Sequence, residues 1–126
     1  MNAREYYDSL QSLVTALPLV ASTDLQFREI DVNECYIRGV LTLANGFELH
    51  LAEYIATAPE IRRPKYRYHL QQPDGTRVAR WDNAPHHPEI QTRPHHRHAA
   101  DDSLHESPEM SPELVLAAIV PLIEAE

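Results

Sequence analysis

Leu43-Ala44-Asn45-Gly46-Phe47-Glu48-Leu49-His50-Leu51-Ala52-Glu53-Tyr54-Ile55 is the stretch that decides the fold class. Asn-Gly is the strongest short hairpin signal, because both residues tolerate the positive φ that a tight reversal demands. After it, Phe47, Leu49, Leu51 and Ile55 alternate with other residues, which is the period of a strand with one buried face. Glu53 falls on that apolar parity. A charge in such a place must be paired, solvated by a cleft, or functional.

Strands extend on both sides of this hairpin. Upstream, residues 25–32 and 36–43 are rich in β-branched and aromatic side chains and are separated by Asn33-Glu34. Downstream, past Pro59 and Pro64, residues 65–72 and 77–82 form a further hairpin around Pro73-Asp74-Gly75-Thr76. Pro, Asp and Gly in that order suit a type I turn followed by a glycine bulge. This sets Gln72 opposite Thr76 and pairs Leu70 with Val78, Tyr68 with Arg80 and Tyr66 with Asp82. On that register Arg80 and Asp82 share a face with Leu70 and Val78.

Helices bracket the strands. Asn2 with Glu5 reads as a capping box, and Tyr6, Leu10, Leu13, Val14 and Leu17 form one apolar stripe that Pro18 stops. Ser111 as N-cap and Pro112 in the first turn open a last helix, running to about Ile123 with a kink or early end at Pro121. The expectation is a single α+β domain over residues 1–126: a five-stranded, mostly antiparallel sheet flanked by an N-terminal and a C-terminal helix.

Composition narrows the setting. A chain of 126 residues buries a real core without staples, and its one cysteine, Cys35, excludes an internal disulfide framework. No apolar signal core follows Met1, and the longest apolar run, residues 114–123, is too short to cross a bilayer. A cytoplasmic protein without a membrane partner is expected. Charge is segregated: residues 1–60 carry −6, residues 61–98 carry +5, and residues 99–126 carry −7. A basic middle between acidic flanks suits an anion-binding face, or internal neutralisation by the acidic tail.

Five of the eight histidines fall between positions 86 and 98, in a segment whose prolines argue for a loop. Imidazole exchanges protons near pH 7 and is the commonest metal ligand, so a proline-punctuated loop that concentrates it suits a site better than a core. In a meander the third and fifth strands run the same way, about two strand spacings or 10 Å apart. Glu53, Arg80, Asp82 and the loop histidines are therefore expected to converge at one sheet end.

Tyr66-Arg67-Tyr68-His69-Leu70-Gln71, Asp74-Gly75, Arg80-Trp81-Asp82-Asn83-Ala84-Pro85-His86-His87 and Pro94-His95-His96 with His98 resemble the TumE family. Glu53-Tyr54 matches a pair in that family's third strand. The resemblance covers most of residues 46–123. Arg93 departs from it, standing where the family carries an apolar residue. It implies the toxin component of a bacterial or archaeal type II toxin–antitoxin module, paired with a DNA-binding, helix-turn-helix antitoxin. It carries no catalytic assignment.

Three chemistries compete for the site. In a metal-independent ribonuclease, candidate catalytic residues are Glu53, Arg80, Asp82, His86, His87, His95 and His96, with histidines moving protons and Arg80 stabilising the phosphorane. Arg62, Arg63, Lys65 and Arg67 would then hold RNA phosphate, and Tyr68 or Trp81 would stack a base. In a metal site, His96 and His98 share a face of an extended segment, and His86 or His87 with Asp82 completes a set for Zn²⁺. Only weak metal binding is expected there, because neither cysteine nor a helical histidine pair pre-organises the ligands. The third reading is a non-catalytic docking surface for a partner, whether antitoxin, RNA or a second copy of the chain. RNA cleavage is preferred, with a metal-binding interaction protein as the alternative.

Overall fold

The computed structural model describes residues 1–124. Helix α1 (Ala3–Thr15) is followed by strands β1 (Val20–Asp31), β2 (Glu34–Leu43), β3 (Glu48–Ala56), β4 (Arg62–Gln71), β5 (Arg77–Asp82), β6 (His96–Ala99) and β7 (Leu104–Glu106), and then by helix α2 (Pro112–Glu124). The strands form one sheet in sequential order, and every neighbouring pair is antiparallel. The α+β class and the two flanking helices agree with the sequence. The strand number does not: the sheet has seven strands rather than five.

β6 comes from the end of the segment read as a loop, and β7 from the stretch after it, to which the sequence reading gave no element. Pro94 is the last proline before β6, so His96 to Ala99 can donate to the free edge of β5, and β7 then covers β6. β1 also begins earlier than expected, because backbone pairing with β2 continues through Ser22-Thr23-Asp24, where no apolar alternation marks it. The α1 capping box forms as expected. α2 continues through Pro121 instead of ending there.

The core lies on one face of the sheet. Tyr6, Leu10 and Val14 of α1, and Val115, Leu116 and Ile119 of α2, pack with Ile37, Leu41, Leu49, Leu51, Ile55, Tyr66, Tyr68, Leu70, Ala79 and Trp81. The turn at Gln72–Thr76 has the expected geometry: Gln72 N–H donates to Thr76 O at 2.8 Å, and Gly75 has a φ of +90°. One pair further on, an unanticipated bulge at Val78 sets Gln71 opposite Arg77 but Leu70 opposite Ala79. Tyr68 therefore pairs with Trp81, His69 with Arg80 and Arg67 with Asp82. That single residue moves Arg80 and Asp82 to the face away from the helices, and the expected pairing of Tyr68 with Arg80 is overturned.

Two rows of facing residues cross this second face. One reads Gln26, Arg38, Ala52, Arg67, Asp82, His96, Glu106; the other reads Asp24, Val40, His50, His69, Arg80, His98, Leu104. Among the described residues, both helices pack on the other face and none covers these rows.

Candidate functional site

The β5–β6 end of the open face carries the densest chemistry. Strand alternation buries Ala79 and Trp81 against the helices and turns Arg80 and Asp82 outward. Beside them β6 sets His98 opposite Arg80 and His96 opposite Asp82. The intervening loop is tied at its start by Asn83, whose side chain donates to the Pro64 carbonyl and accepts from Tyr66 N–H, both at 3.0 Å. Near its end, Thr92 donates to the His95 carbonyl at 2.7 Å and accepts from Ser107 N–H at 3.0 Å. The result is a cleft of about 640 Å³ lined by Lys65, Arg67, Arg80, Asp82, His86, His87, His96 and His98 among others.

Asp82 organises the cleft floor. Its Oδ1 accepts from Ala84 N–H at 3.0 Å and lies 2.9 Å from His96 Nε2, while Oδ2 lies 3.7 Å from His98 Nε2. The buried His96 ring donates Nδ1–H to the Pro94 carbonyl at 2.9 Å, which fixes Nε2 toward Asp82. His87 closes the group: one nitrogen from each of His87, His96 and His98 lies within 4.8 Å of the others. The β5–β6 pairing thus supplies a pre-organisation that a loop would not. Burial holds the His98 pKa below the ordinary histidine range, with Asp82 opposing. His86 sits exposed on the rim.

Electrostatics across the face favour an anion. Arg80 Nε donates to His69 Nδ1 at 3.1 Å. Burial, then the Arg80 charge, pushes His69 down to about 4, so its neutral ring accepts that bond at neutral pH. Burial and the nearby cations Arg67 and Arg77 lower the Arg80 pKa, with Asp82 opposing them. Among the described residues, neither Arg67 nor Arg80 has a carboxylate within ion-pair distance. Asp82 is the one acid among the described residues that line this cleft, and the cations Lys65, Arg67 and Arg80 outnumber it.

Other residues expected at the site lie on the helix face. Glu53 is fully buried and accepts from Tyr6 OH at 2.9 Å, from Arg63 Nε at 3.2 Å and from Tyr68 OH. Burial pushes its carboxyl up, and those bonds oppose the shift. Glu53 is thus at the expected sheet end but on the opposite side from Arg80 and Asp82. Arg63, expected on RNA phosphate, is bound in this network. Tyr68 and Trp81, expected to stack bases, are core residues, 0% and 4% exposed. His95 stacks on Tyr66, bonds its hydroxyl through Nδ1 at 2.7 Å, and does not line the cleft. Arg62 and Lys65 are exposed.

Three participants escaped the sequence reading. His69 looked like an ordinary strand residue, and Asn83 gave no sign beyond its place after Trp81-Asp82. Tyr36, beside Lys65 and Arg67 in a smaller depression on the open face, is an aromatic that the register places there.

A sequence-family model described as toxin TumE matches residues 10–126. No curated protein and no solved structure matches the chain.

Proposed function

The chain belongs to the TumE toxin family, and from that premise we propose that it is the toxin of a type II toxin–antitoxin module that cuts RNA in the open-face cleft. The observation supporting this most strongly is the pair of cations without acid partners, Arg67 and Arg80, beside a histidine cluster on an uncovered sheet face. RNA is a polyanion that enters such a face from outside, whereas the helix face is closed by core. Arg38 and Arg67, in one row across the sheet, give the strand a path, and Tyr36 offers an aromatic surface beside it.

The chemistry follows from which groups are reachable. His86, exposed at the rim, takes the 2′-hydroxyl proton. The 2′-oxygen attacks the adjacent phosphorus, the bond to the 5′-oxygen breaks, and that oxygen leaves as a hydroxyl with a proton from solvent at the cleft mouth. Arg80, aligned by His69, donates to the non-bridging oxygens as charge accumulates. The products are a 2′,3′-cyclic phosphate and a 5′-hydroxyl. An antitoxin with an acidic segment would silence the protein by covering this face.

The test combines growth with RNA chemistry. Expression without an antitoxin should slow growth, and the purified protein should leave 2′,3′-cyclic phosphate ends. Arg80→Ala should lower cleavage by roughly 10²-fold or more with an unchanged melting temperature. Uncut RNA under conditions where the wild type arrests growth would refute cleavage and leave the toxin assignment standing.

A further inference from the structure

We infer that His87, His96 and His98 form a binding site for a Zn²⁺-class divalent transition-metal ion, with Asp82 as the charge-compensating carboxylate, and that the ion pins the histidine loop to the sheet. This goes beyond the ribonuclease reading, which assigns RNA contacts to Arg67, Arg80 and His86 and does not depend on a metal.

Three different segments converge on one point. Asp82 ends β5, His96 and His98 lie on the same face of β6, and His87 arrives from the loop between them. One nitrogen from each histidine lies within 4.8 Å of the other two. The rings meet edge to face at 71–78°, with centroids 4.9–5.7 Å apart. Two of the rings also turn Nε2 toward Asp82, so the cluster gathers imidazole nitrogens beside one carboxylate.

The surrounding shell has the form that metal-bound histidines need. A ligating imidazole typically donates its other N–H to a carbonyl or carboxylate, which fixes ring orientation and raises basicity. His96 gives Nδ1 to the Pro94 carbonyl at 2.9 Å, and His87 turns Nδ1 toward Glu89 Oε1 at 3.4 Å. In His96 this leaves Nε2 facing Asp82 at the cluster, and in His87 it leaves Nε2 as the nitrogen not turned to Glu89. Asp82, 2.9 Å and 3.7 Å from two of the histidine nitrogens, supplies negative charge within reach of the same ion. Three imidazoles with a carboxylate and no thiolate suit Zn²⁺, Co²⁺, Ni²⁺ or Cu²⁺ better than Mg²⁺ or Ca²⁺. All four residues also line the cleft, so an ion there faces an opening rather than a sealed shell.

The experiment needs no RNA. Full-length protein, stripped with a chelator and dialysed, is titrated with Zn²⁺ by calorimetry and with Co²⁺ by visible absorption. One equivalent should bind, with a Co²⁺ ligand-field band, and free Zn²⁺ about 100-fold above Kd should raise Tm by roughly 10 °C. Removing an outer-shell partner typically weakens metal binding at least about tenfold, so loss of a ligand in His87→Ala or His98→Ala should weaken it by that much or more. His50→Ala, on the same face but paired with Glu48, should bind as the wild type does. His87 is half-buried in the loop, so His87→Ala tests the site even if His96→Ala does not fold. Binding below one equivalent, a Tm indifferent to Zn²⁺, or equal affinity in folded His87→Ala and wild type would overturn the inference. A metal-binding protein that leaves RNA intact would sink only the nuclease reading.

Discussion

Replacing Glu53 with alanine separates the two faces of the molecule. Glu53 is fully buried and takes three side-chain hydrogen bonds, from α1 through Tyr6 and from β4 through Arg63 and Tyr68. Arg63 also reaches Tyr6 OH at 3.2 Å, so removing the carboxylate strands a largely buried guanidinium and two hydroxyls. Breaking a buried ion pair by deleting one partner costs about 3–5 kcal/mol, mostly from the charge left behind. For a domain of this length each kcal/mol lowers Tm by about 3–5 °C, so Glu53→Ala should melt roughly 10–20 °C below the wild type. Adding Arg63→Met removes the stranded cation and should restore part of that loss. Thermal denaturation by circular dichroism measures both variants, and RNA cleavage at a temperature where each stays folded measures function. A Tm within about 3 °C of the wild type would refute the energetic argument, being less than 1 kcal/mol. A folded Glu53→Ala protein that no longer cuts RNA would place Glu53 in the chemistry and refute the division between faces.

Other consequences follow from local geometry. A Cβ at Gly39 would lie 2.2 Å from the Asp24 carbonyl oxygen and 2.8 Å from Leu25 Cα, both backbone, so Gly39→Ala should force β1 from β2 and cost about 3 kcal/mol or more in urea denaturation. His69 titrates at about 4 in the fold against 6.5 when free, so the unfolded chain binds its proton first as pH falls. Its neutral ring therefore supports full stability above pH 6.5, and stability drains away between there and about 4. His69→Gln, which still offers Arg80 an acceptor, should show a smaller Tm loss from pH 7 to pH 4.5. If an acidic antitoxin segment covers the open face, association should slow as salt rises past about 0.1 M, where the Debye length is about 10 Å. Lys65→Glu with Arg67→Glu should slow it further, and a rate indifferent to both would place the partner elsewhere.

Much of the fold was legible because it rests on local chemistry. The α1 capping box, the Asn45-Gly46 and Asp74-Gly75 reversals and the alternation around Leu49 and Leu51 each announce themselves within a few residues. The strands β6 and β7 did not, because a four-residue and a three-residue edge strand take their stability from the neighbour they pair with, not from a pattern of their own. The site was half legible for the same reason. Histidine density marked a segment of which His86, His87, His96 and His98 line the cleft, and Arg80, Asp82 and Asn83 line it with them. Which face that cleft occupies turned on the bulge at Val78, where no glycine or proline stands to signal it.

That bulge explains why a charged residue on an apolar parity meant opposite things at two positions. Glu53 lies on the buried face and is matched there by Arg63, Tyr6 and Tyr68, so its charge serves to join α1 to the sheet. The alternation read from the sequence puts Arg80 on that face too, but one inserted residue turns it outward, where His69 steadies it and, among the described residues, no carboxylate lies within ion-pair distance. An unanswered cation inside a core would be expelled or neutralised; on an open sheet face it persists at low cost and attracts anions. The same inserted residue sets Asp82 beside His96, so anion attraction and the histidine cluster occupy one cleft. Deleting Val78 should regularise the ladder without turning it over: Arg77 stays opposite Gln71, Ala79 follows opposite Leu70, and Arg80 and Asp82 keep the open face. Growth on induced expression should then stay slow wherever the protein folds, and a folded deletion variant without toxicity would show that the local twist of the bulge, beyond the facing it sets, shapes the cleft.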